Sequence, residues 1–240
     1  MSETISLRVI ARIHNDFTEK FGIPRQSGLV PSLRSRIILE PEYRVWEALR
    51  GLDGFSHIWL LWEFSAAVRT KWSPTVRPPR LGGNTRMGVF ATRSPYRPNP
   101  IGLSCVKLEE IQMDEKDGPV LTVSGADLMD GTPILDIKPY LPHADCIPDA
   151  QGGFAANYVS YHLQVDFPEP LLEQIIPQKR EALLGILAQD PRPSYQQDAE
   201  RIYGMRFGEY EIKFTVKEHL LTVRDVQKVI PVQNNIEKRG

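Results

Sequence analysis

The most restrictive feature of this sequence is a series of short apolar segments separated by glycine- and proline-rich connections. In about the first 150 residues, only segment 41–51 has a helical pattern, which begins with Pro41 and ends at Gly51. Segments typical of β-strands lie at 5–13, 57–64, 87–92, 101–111, 120–123 and 134–137. A doubly wound α/β fold needs a helix between successive strands, so this pattern argues against it and favours a barrel or a sandwich.

The composition changes after about residue 148, which predicts a second structural unit in this chain of 240 residues. Gly152 and Gly153 are candidates for a linker, and a strand is expected at 158–167. Segment 171–188 has a helical pattern that Pro177 splits or restarts, and 209–217 with 220–229 predicts a hairpin. We therefore expect a mainly β protein with an N-terminal domain at 1–148 and a smaller α+β domain at 155–232.

The cysteines and the apolar segments bear on the compartment. Cys105 and Cys146 are far apart and lack metal-ligand spacing, which argues against a disulfide framework and favours a reducing environment. The first 13 residues lack the apolar region of a signal peptide, and segment 58–62 is far shorter than the roughly 20 residues of a membrane helix. These features predict a cytoplasmic protein without membrane contact.

Charge is segregated along the chain although the formal net charge is only −1. No acidic residue occurs between Glu63 and Glu109, a span that we call the basic span. Its basic residues include Arg69, Lys71, Arg77, Arg80, Arg86, Arg93, Arg97 and Lys107. Such a chain can build a basic face that attracts nucleic acid. Alternatively, these arginines are solvated loop residues paired with the aspartates of segment 127–149.

Several common motifs are absent from the sequence. It has no GxGxxG after a strand, no P-loop, no EF-hand spacing and no Gly-x-Ser-x-Gly elbow. The five histidines never pair at ligand spacing, so we expect no metal site. Glycine, proline and charge are instead concentrated next to strands at 24–30, 77–104 and 124–140. Rigid loops at the rim of a β scaffold are a usual place for ligand contacts. Turn formation alone also explains the glycine and proline content of these segments.

These same segments resemble the TsaA-like family of tRNA adenine-N6-methyltransferases. The similar stretches are Pro24-Arg25-Gln26, RPPRLGGNTRMGVFATRSPYRPNPIGLS at 77–104 and DLMDGTPILDIKPYLP at 127–142. A later stretch, DPRPSY at 190–195, resembles the DPRPxY motif of the longer members of that family. The resemblance covers most of residues 5–145, and runs of this length are far more specific than a lone glycine motif.

The resemblance implies a small N-terminal β-barrel that binds S-adenosylmethionine without a Rossmann sheet, commonly as a homodimer. It implies methylation of N6 of threonylcarbamoyladenosine next to the anticodon of threonine tRNA. The implied cofactor contacts are Pro24, Arg25, Gln26, Ser65, Ala66, Arg93, Leu103, Ser124, Gly125, Ala126 and Asp127. At positions 65 and 66 the family pattern has a larger polar pair, whereas this sequence has Ser65 and Ala66. We therefore expect backbone rather than side-chain contacts at these two positions.

The chemistry of these residues agrees with that assignment. Asp127 suits a positive or ribose group of the cofactor, and Arg93 or Arg25 suits its carboxylate through a bidentate pair. We nominate no catalytic base, because Asp130 and Asp136 suit a structural role as well as a catalytic one. For tRNA we expect contacts from Arg77, Arg80, Arg86 or Arg97, with phosphate pairing by Arg192 and base stacking by Tyr195. The DPRPSY stretch is also explained by a turn that ends a helix.

Two other functions stay open at this point. One is a methyltransferase of the same fold that acts on a small molecule or a protein. The other is a non-enzymatic module that binds RNA. The basic span favours RNA over a small acceptor, and the implied cofactor loops favour an enzyme over a binding module.

Overall fold

The computed structural model describes residues 3–67, 71–78, 85–158, 161–192 and 198–229, and within that part the mainly β class is confirmed. The N-terminal strands are β1 (Ala11–His14), β2 (Arg34–Leu39), β3 (His57–Glu63), β4 (Thr75–Val76), β5 (Met87–Gly88), β6 (Ile101–Asp114), β7 (Gly118–Ser124) and β8 (Pro133–Pro139). The C-terminal strands are β9 (Gln164–Asp166), β10 (Tyr203–Phe207), β11 (Tyr210–Lys217) and β12 (Leu220–Lys228). The α-helices are α1 (Pro142–Asp145), α2 (Glu169–Leu172) and α3 (Pro177–Ala188). None of the helices in the described ranges is long and apolar enough to cross a membrane.

Six strands form a closed barrel in the order β1–β2–β7–β6–β3–β8, because β1 pairs with both β2 and β8. All of these neighbours are antiparallel. Side chains on a strand alternate between two faces, and β3 accordingly buries Ile58, Leu60 and Trp62. These residues pack in one core with inward residues of the other strands, such as Ile37 and Leu121.

The C-terminal sheet has the order β10–β11–β12–β9 and a separate core. Its β11–β12 hairpin confirms the one expected from the sequence, and β9 adds to β12 in parallel. Helix α3 covers the sheet with Leu183, Ile186 and Leu187, which are fully buried. The helix begins at Pro177, as expected, because proline fits the first turn, where no partner for its missing N–H is needed.

Segment 16–33 belongs to the N-terminal part of the chain but packs into the C-terminal core. Phe17, Val30 and Leu33 are buried there, and the rings of Phe17 and Phe207 lie 5.8 Å apart. Polar contacts reinforce the packing, since Nζ of Lys179 lies 2.6 Å from Oδ1 of Asp16. The loop that carries Pro24, Arg25 and Gln26 is therefore held from both sides.

Some local expectations were wrong. Segment 41–51 forms 3-10 helices rather than an α-helix, and 87–92 forms two strand residues followed by a 3-10 turn. Strands β2 and β10 were missed. In β2 a serine takes one of the buried positions and arginines take two of the exposed ones, which weakens the apolar pattern. The 3-10 helices lie at Pro41–Tyr43, Trp46–Leu49, Leu52–Gly54, Ser65–Ala67, Val89–Ala91 and Gly153–Tyr158.

Candidate functional site

A cavity of about 640 Å³ lies at the rim of the barrel, where β3 ends and β6 begins. Its walls come from the loop around Arg25, the loop around Arg93 and the segment after β7 that carries Asp127. Ile23, Phe64 and Leu103 give it apolar surface. Sites for small molecules and cofactors typically have volumes of about 300–1,000 Å³ with a few convergent polar groups. The cavity is therefore of the right size and character for a nucleoside-containing ligand.

Most of the cofactor residues that the resemblance implies lie around this cavity. Those that line it are Pro24, Arg25, Gln26, Ser65, Ala66, Arg93, Leu103 and Asp127. They come from five places in the chain, at 24–26, 65–66, 93, 103 and 127, which the folded barrel and its loops bring together. Their contacts with a cofactor stay a prediction.

Ser124, Gly125 and Ala126 are not among the lining residues, although they immediately precede Asp127. Oγ of Ser124 donates to Oε1 of Glu109 at 2.7 Å, and Ala126 is buried in the barrel core. Gly125 has a φ of +76°, a conformation that glycine adopts without strain. Its carbonyl accepts from the N–H of Gly28 at 2.8 Å, so this segment ties the loop around Arg25 to β7.

Cationic side chains border the cavity. Nη1 of Arg93 donates to Oε1 of Gln26 at 2.5 Å, which links two of the implied cofactor residues. Nη1 of Arg97 donates to the carbonyl of Thr92 at 2.9 Å, which fixes its guanidinium at the wall. Lys20, which the sequence analysis missed, lines the cavity and donates to the carbonyl of Ala66 at 2.5 Å. These cations suit a ligand that carries carboxylate groups.

Asp127 gives the cavity a partly buried acidic group. Burial raises the pKa of its carboxyl, because removal from water disfavours the charged form. A hydrogen bond from Ser104, the N–H groups of Asp127 and Ser27, and the charge of Arg93 act in the opposite direction on this pKa. Such a carboxylate is a strong acceptor for a donor or cationic group of a ligand.

The residues predicted to contact tRNA are not all in one place. Arg97 lines the cavity, and Arg77 and Arg86 are exposed outside it. Within the described part of the chain, none of these three arginines forms a salt bridge. Arg80 and Tyr195 lie outside the described residues.

Arg192 has a different setting from the one expected for a phosphate contact. Its side chain is only 10% exposed, and its guanidinium makes two hydrogen bonds to the carboxylate of Asp190. Asp190 has a φ of +52° at the end of α3, and the hydroxyl of Tyr161 also donates to its carboxylate. The geometry supports the turn that ends a helix, and tRNA contact by Arg192 stays a prediction.

The later aspartates do not neutralise the basic span by salt bridges among the described residues. Asp130 accepts from the N–H of Asn15 at 3.0 Å and lies 3.3 Å from Nδ1 of His14. Asp136 lies 2.8 Å from Nζ of Lys138 on the same strand. Both aspartates therefore have partners outside the cavity, and neither lies in its lining.

Trp62 and Ser104 were missed as site residues. Trp62 lines the cavity, and Ser104 is buried beneath it next to Asp127. Ser104 does end the long motif 77–104, which is the signal that could have drawn attention to it. No cluster of three or more possible metal ligands occurs among the residues whose positions are described.

Comparison with known proteins identifies the family of this chain. Residues 12–146 match the model of the tRNA-methyltransferase O N-terminal domain, and residues 160–229 match that of the TrmO C-terminal domain. The tRNA (adenine(37)-N6)-methyltransferase of Escherichia coli K12 is 42% identical over 217 residues, which cover 87% of this chain and 92% of that protein. The enzyme of the same name from Eikenella corrodens is 46% identical over 176 residues, with coverage of 73% and 98%.

A solved structure shows the same overall similarity. The crystal structure of TrmO from Pseudomonas aeruginosa superposes with a TM-score of 0.75 at 36% identity, covering 94% of this chain and all of that one. The family models and these relatives together span both cores described above. This chain therefore belongs to the TrmO family of tRNA methyltransferases.

Proposed function

We propose that this protein is an S-adenosylmethionine-dependent methyltransferase that modifies N6 of adenine 37 in tRNA. The observation that carries the proposal is one cavity, at the rim of the barrel, that combines a partly buried carboxylate with a border of cations. Relatives at 42–46% identity carry the name of this activity. The barrel with its rim cavity would then be a cofactor-binding fold without a Rossmann sheet.

The lining residues fit S-adenosylmethionine by their chemistry. The cofactor supplies an electrophilic methyl group on a sulfonium, so the protein has to orient it and exclude water. Arg93 or Arg25 would bind its carboxylate, Asp127 would accept from a ribose or ammonium group, and Leu103 would pack against the adenine. Holding the two reactants in line contributes as much as about 7–11 kcal/mol to lowering a barrier of this kind.

The acceptor is adenosine that already carries the threonylcarbamoyl group, in threonine tRNA. That group ends in a carboxylate, and the wall of the cavity offers Arg97 for it. Its ureido N–H is more acidic than a plain exocyclic amine, so the reaction needs no strong base from the protein. This is consistent with Asp130 and Asp136 being engaged elsewhere.

The tRNA body would lie across the exposed part of the basic span and the C-terminal domain. Arg77 and Arg86 are exposed and free of salt bridges within the described ranges, so they suit phosphate contacts. Arg80 and Tyr195 are proposed contacts on sequence grounds alone. In this division, residues 1–148 form the cofactor domain and residues 155–232 help to position tRNA.

Two properties of the whole protein complete the proposal. The protein acts in the cytoplasm, where its tRNA substrate is available, and its cysteines, both free, suit a reducing compartment. It functions as a homodimer, as the resemblance implies. Analytical ultracentrifugation of the pure protein tests the second point, and a monomer at assay concentration would contradict it.

A methyl-transfer assay tests the function directly. The purified protein is incubated with S-adenosylmethionine that carries a labelled methyl group and with bulk tRNA, and the tRNA is then digested to nucleosides. We expect label in N6-methylated threonylcarbamoyladenosine. Label in another nucleoside would overturn the substrate assignment, and an unlabelled digest from a protein that binds the cofactor would overturn the proposed reaction.

A further inference from the structure

Gly102 and Ser104 lie two residues apart on β6 and face the same side, opposite Trp62 and Leu60 of β3. A Cβ at position 102 would lie 2.3 Å from the Trp62 ring, so only glycine leaves room for the indole there. The indole consequently lies along β6, and its Nε1 donates to Oγ of Ser104 at 2.9 Å. Oγ of Ser104 in turn donates to Oδ1 of Asp127 at 2.5 Å.

The direction of these two hydrogen bonds follows from the groups involved. The indole N–H of tryptophan is a donor only, so Oγ of Ser104 has to accept from Trp62. The single proton of the Ser104 hydroxyl is then left to point at Asp127. An O–H group that donates to a carboxylate oxygen at about 2.5–2.7 Å is typical of a charge-assisted bond. The arrangement therefore orients Asp127 as an acceptor.

The surroundings of Asp127 show why this support matters. Ser104 is 1% exposed and Trp62 7% exposed, so neither bond is shared with bulk water. Burial of Asp127 favours its neutral form, and Arg93 provides the facing cation. The other groups that favour the ionised form are the N–H groups of Ser27 and Asp127 itself. Among the groups that lower the pKa of Asp127, Ser104 has the largest effect.

We propose that Ser104, oriented by Trp62, is a positioning residue that holds the Asp127 carboxylate in the cavity as an acceptor for a donor group of S-adenosylmethionine. This inference rests on the proposed function, because it assigns the cavity to that cofactor. It gives a role to the last residue of the 77–104 motif and to the glycine two positions before it. Loss of the Ser104 hydroxyl should leave Asp127 less ionised and less well oriented.

The test is calorimetric titration of the full-length protein with S-adenosylmethionine between pH 5 and 8. The variants are Ser104→Ala, which removes the donor, Ser104→Thr, which keeps it, and Trp62→Phe, which keeps a ring but removes the N–H. Ser35→Ala is the matched control, because Ser35 is also a buried serine on a barrel strand but lies outside the cavity lining. Thermal unfolding of each variant establishes that it folds.

At pH 7 we expect Ser104→Ala to bind the cofactor about ten-fold more weakly, as the loss of a hydrogen bond to a charged group predicts. Its affinity should also fall at a higher pH on acidification than that of the wild type, because its Asp127 is protonated more readily. Ser104→Thr should restore both properties, Trp62→Phe should shift them in the same direction as alanine, and Ser35→Ala should match the wild type.

Two outcomes would overturn the inference while leaving the proposed function intact. One is a Ser104→Ala protein that binds the cofactor with wild-type affinity and loses affinity on acidification at the same pH as the wild type. The other is a Trp62→Phe protein with an unchanged pH profile, which decides the matter on its own if Ser104→Ala does not fold. A wild-type protein that fails to bind S-adenosylmethionine would instead overturn the function itself.

Discussion

The guanidinium of Arg192 donates two hydrogen bonds to the carboxylate of Asp190, from Nε to Oδ1 at 2.8 Å and from Nη2 to Oδ2 at 2.9 Å. Both side chains are almost fully buried. Replacing Arg192 with alanine would leave the Asp190 charge buried without its main partner. We expect the free energy of unfolding to fall by about 3 kcal/mol, measured by urea denaturation. Lys228→Ala, which removes an exposed pair with Glu209, should cost less than about 1 kcal/mol. Equal effects of the two changes would contradict a structural role for Arg192.

Asp127→Asn should stabilise the cofactor-free protein while weakening cofactor binding. The pKa of the Asp127 carboxyl is higher in the folded protein than in the unfolded protein. At pH values between these two pKa values, the folded protein therefore binds more protons than the unfolded one. Its contribution to stability therefore falls as the pH rises through that window and is lowest at neutral pH. Asparagine carries no such penalty, and we therefore expect the Tm of the variant at pH 7 to exceed that of the wild type. The advantage should vanish at a pH below both pKa values, and an equal gain at every pH would contradict this account.

Arg93→Ala should weaken S-adenosylmethionine binding without unfolding the protein. Arg93 is an exposed side chain at the cavity wall that bonds Gln26, so its loss removes a charge-assisted contact with the cofactor and leaves the barrel core untouched. The expected loss of binding free energy is about 1.5–3 kcal/mol by calorimetric titration. Arg50→Ala, on the exposed 3-10 turn before β3, serves as the control. A folded Arg93→Ala protein with wild-type affinity would remove Arg93 from the site.

Binding of tRNA should depend strongly on salt although the net charge is −1. If about four cations of the basic span contact phosphates, the logarithm of the affinity should fall against the logarithm of the salt concentration with a slope near −3. Filter-binding measurements at salt concentrations from about 50 to about 300 mM give this slope. The double variant Arg77→Ala, Arg86→Ala, which removes two of these four contacts, should reduce the magnitude of the slope by about 1.5. A flat dependence would mean that these arginines do not face tRNA.

The protein should discriminate against tRNA that lacks the threonylcarbamoyl group. A site that pairs with a carboxylate rejects a substrate without it strongly, because the site's charged group is left without its partner. We expect methylation of unmodified tRNA to be at least about a hundred-fold slower, a loss near 3 kcal/mol. Arg97→Ala should reduce this discrimination, since Arg97 is the described candidate at the cavity wall. Rates on tRNA from cells with and without the modification measure it, and equal rates would rule out the carboxylate pairing.

Much of the fold could be predicted because its signals are local. Short apolar segments between glycine- and proline-rich connections indicated β3, β6, β7 and β8, and similar patterns indicated the C-terminal hairpin and the start of α3 at Pro177. Strand β2 was missed because exposed arginines at 34 and 36 flank Ser35, which occupies a buried position, so the first half of the strand lacks an apolar residue. The family resemblance pointed to several of the residues that line the cavity, which composition and net charge do not indicate.

The tertiary structure alone decided which of those residues meet and in what state. Trp62, Ser104 and Asp127 are separated by tens of residues, and only pairing of β3 with β6 and closure of the barrel bring them into one hydrogen-bonded chain. Arg192 and Asp190 are neighbours in sequence, yet whether an arginine reaches solvent or is buried in an ion pair depends on the surfaces packed around it. Sequence determines local backbone preference and the chemistry of each side chain, whereas burial, pKa and partner choice arise from contacts between distant segments.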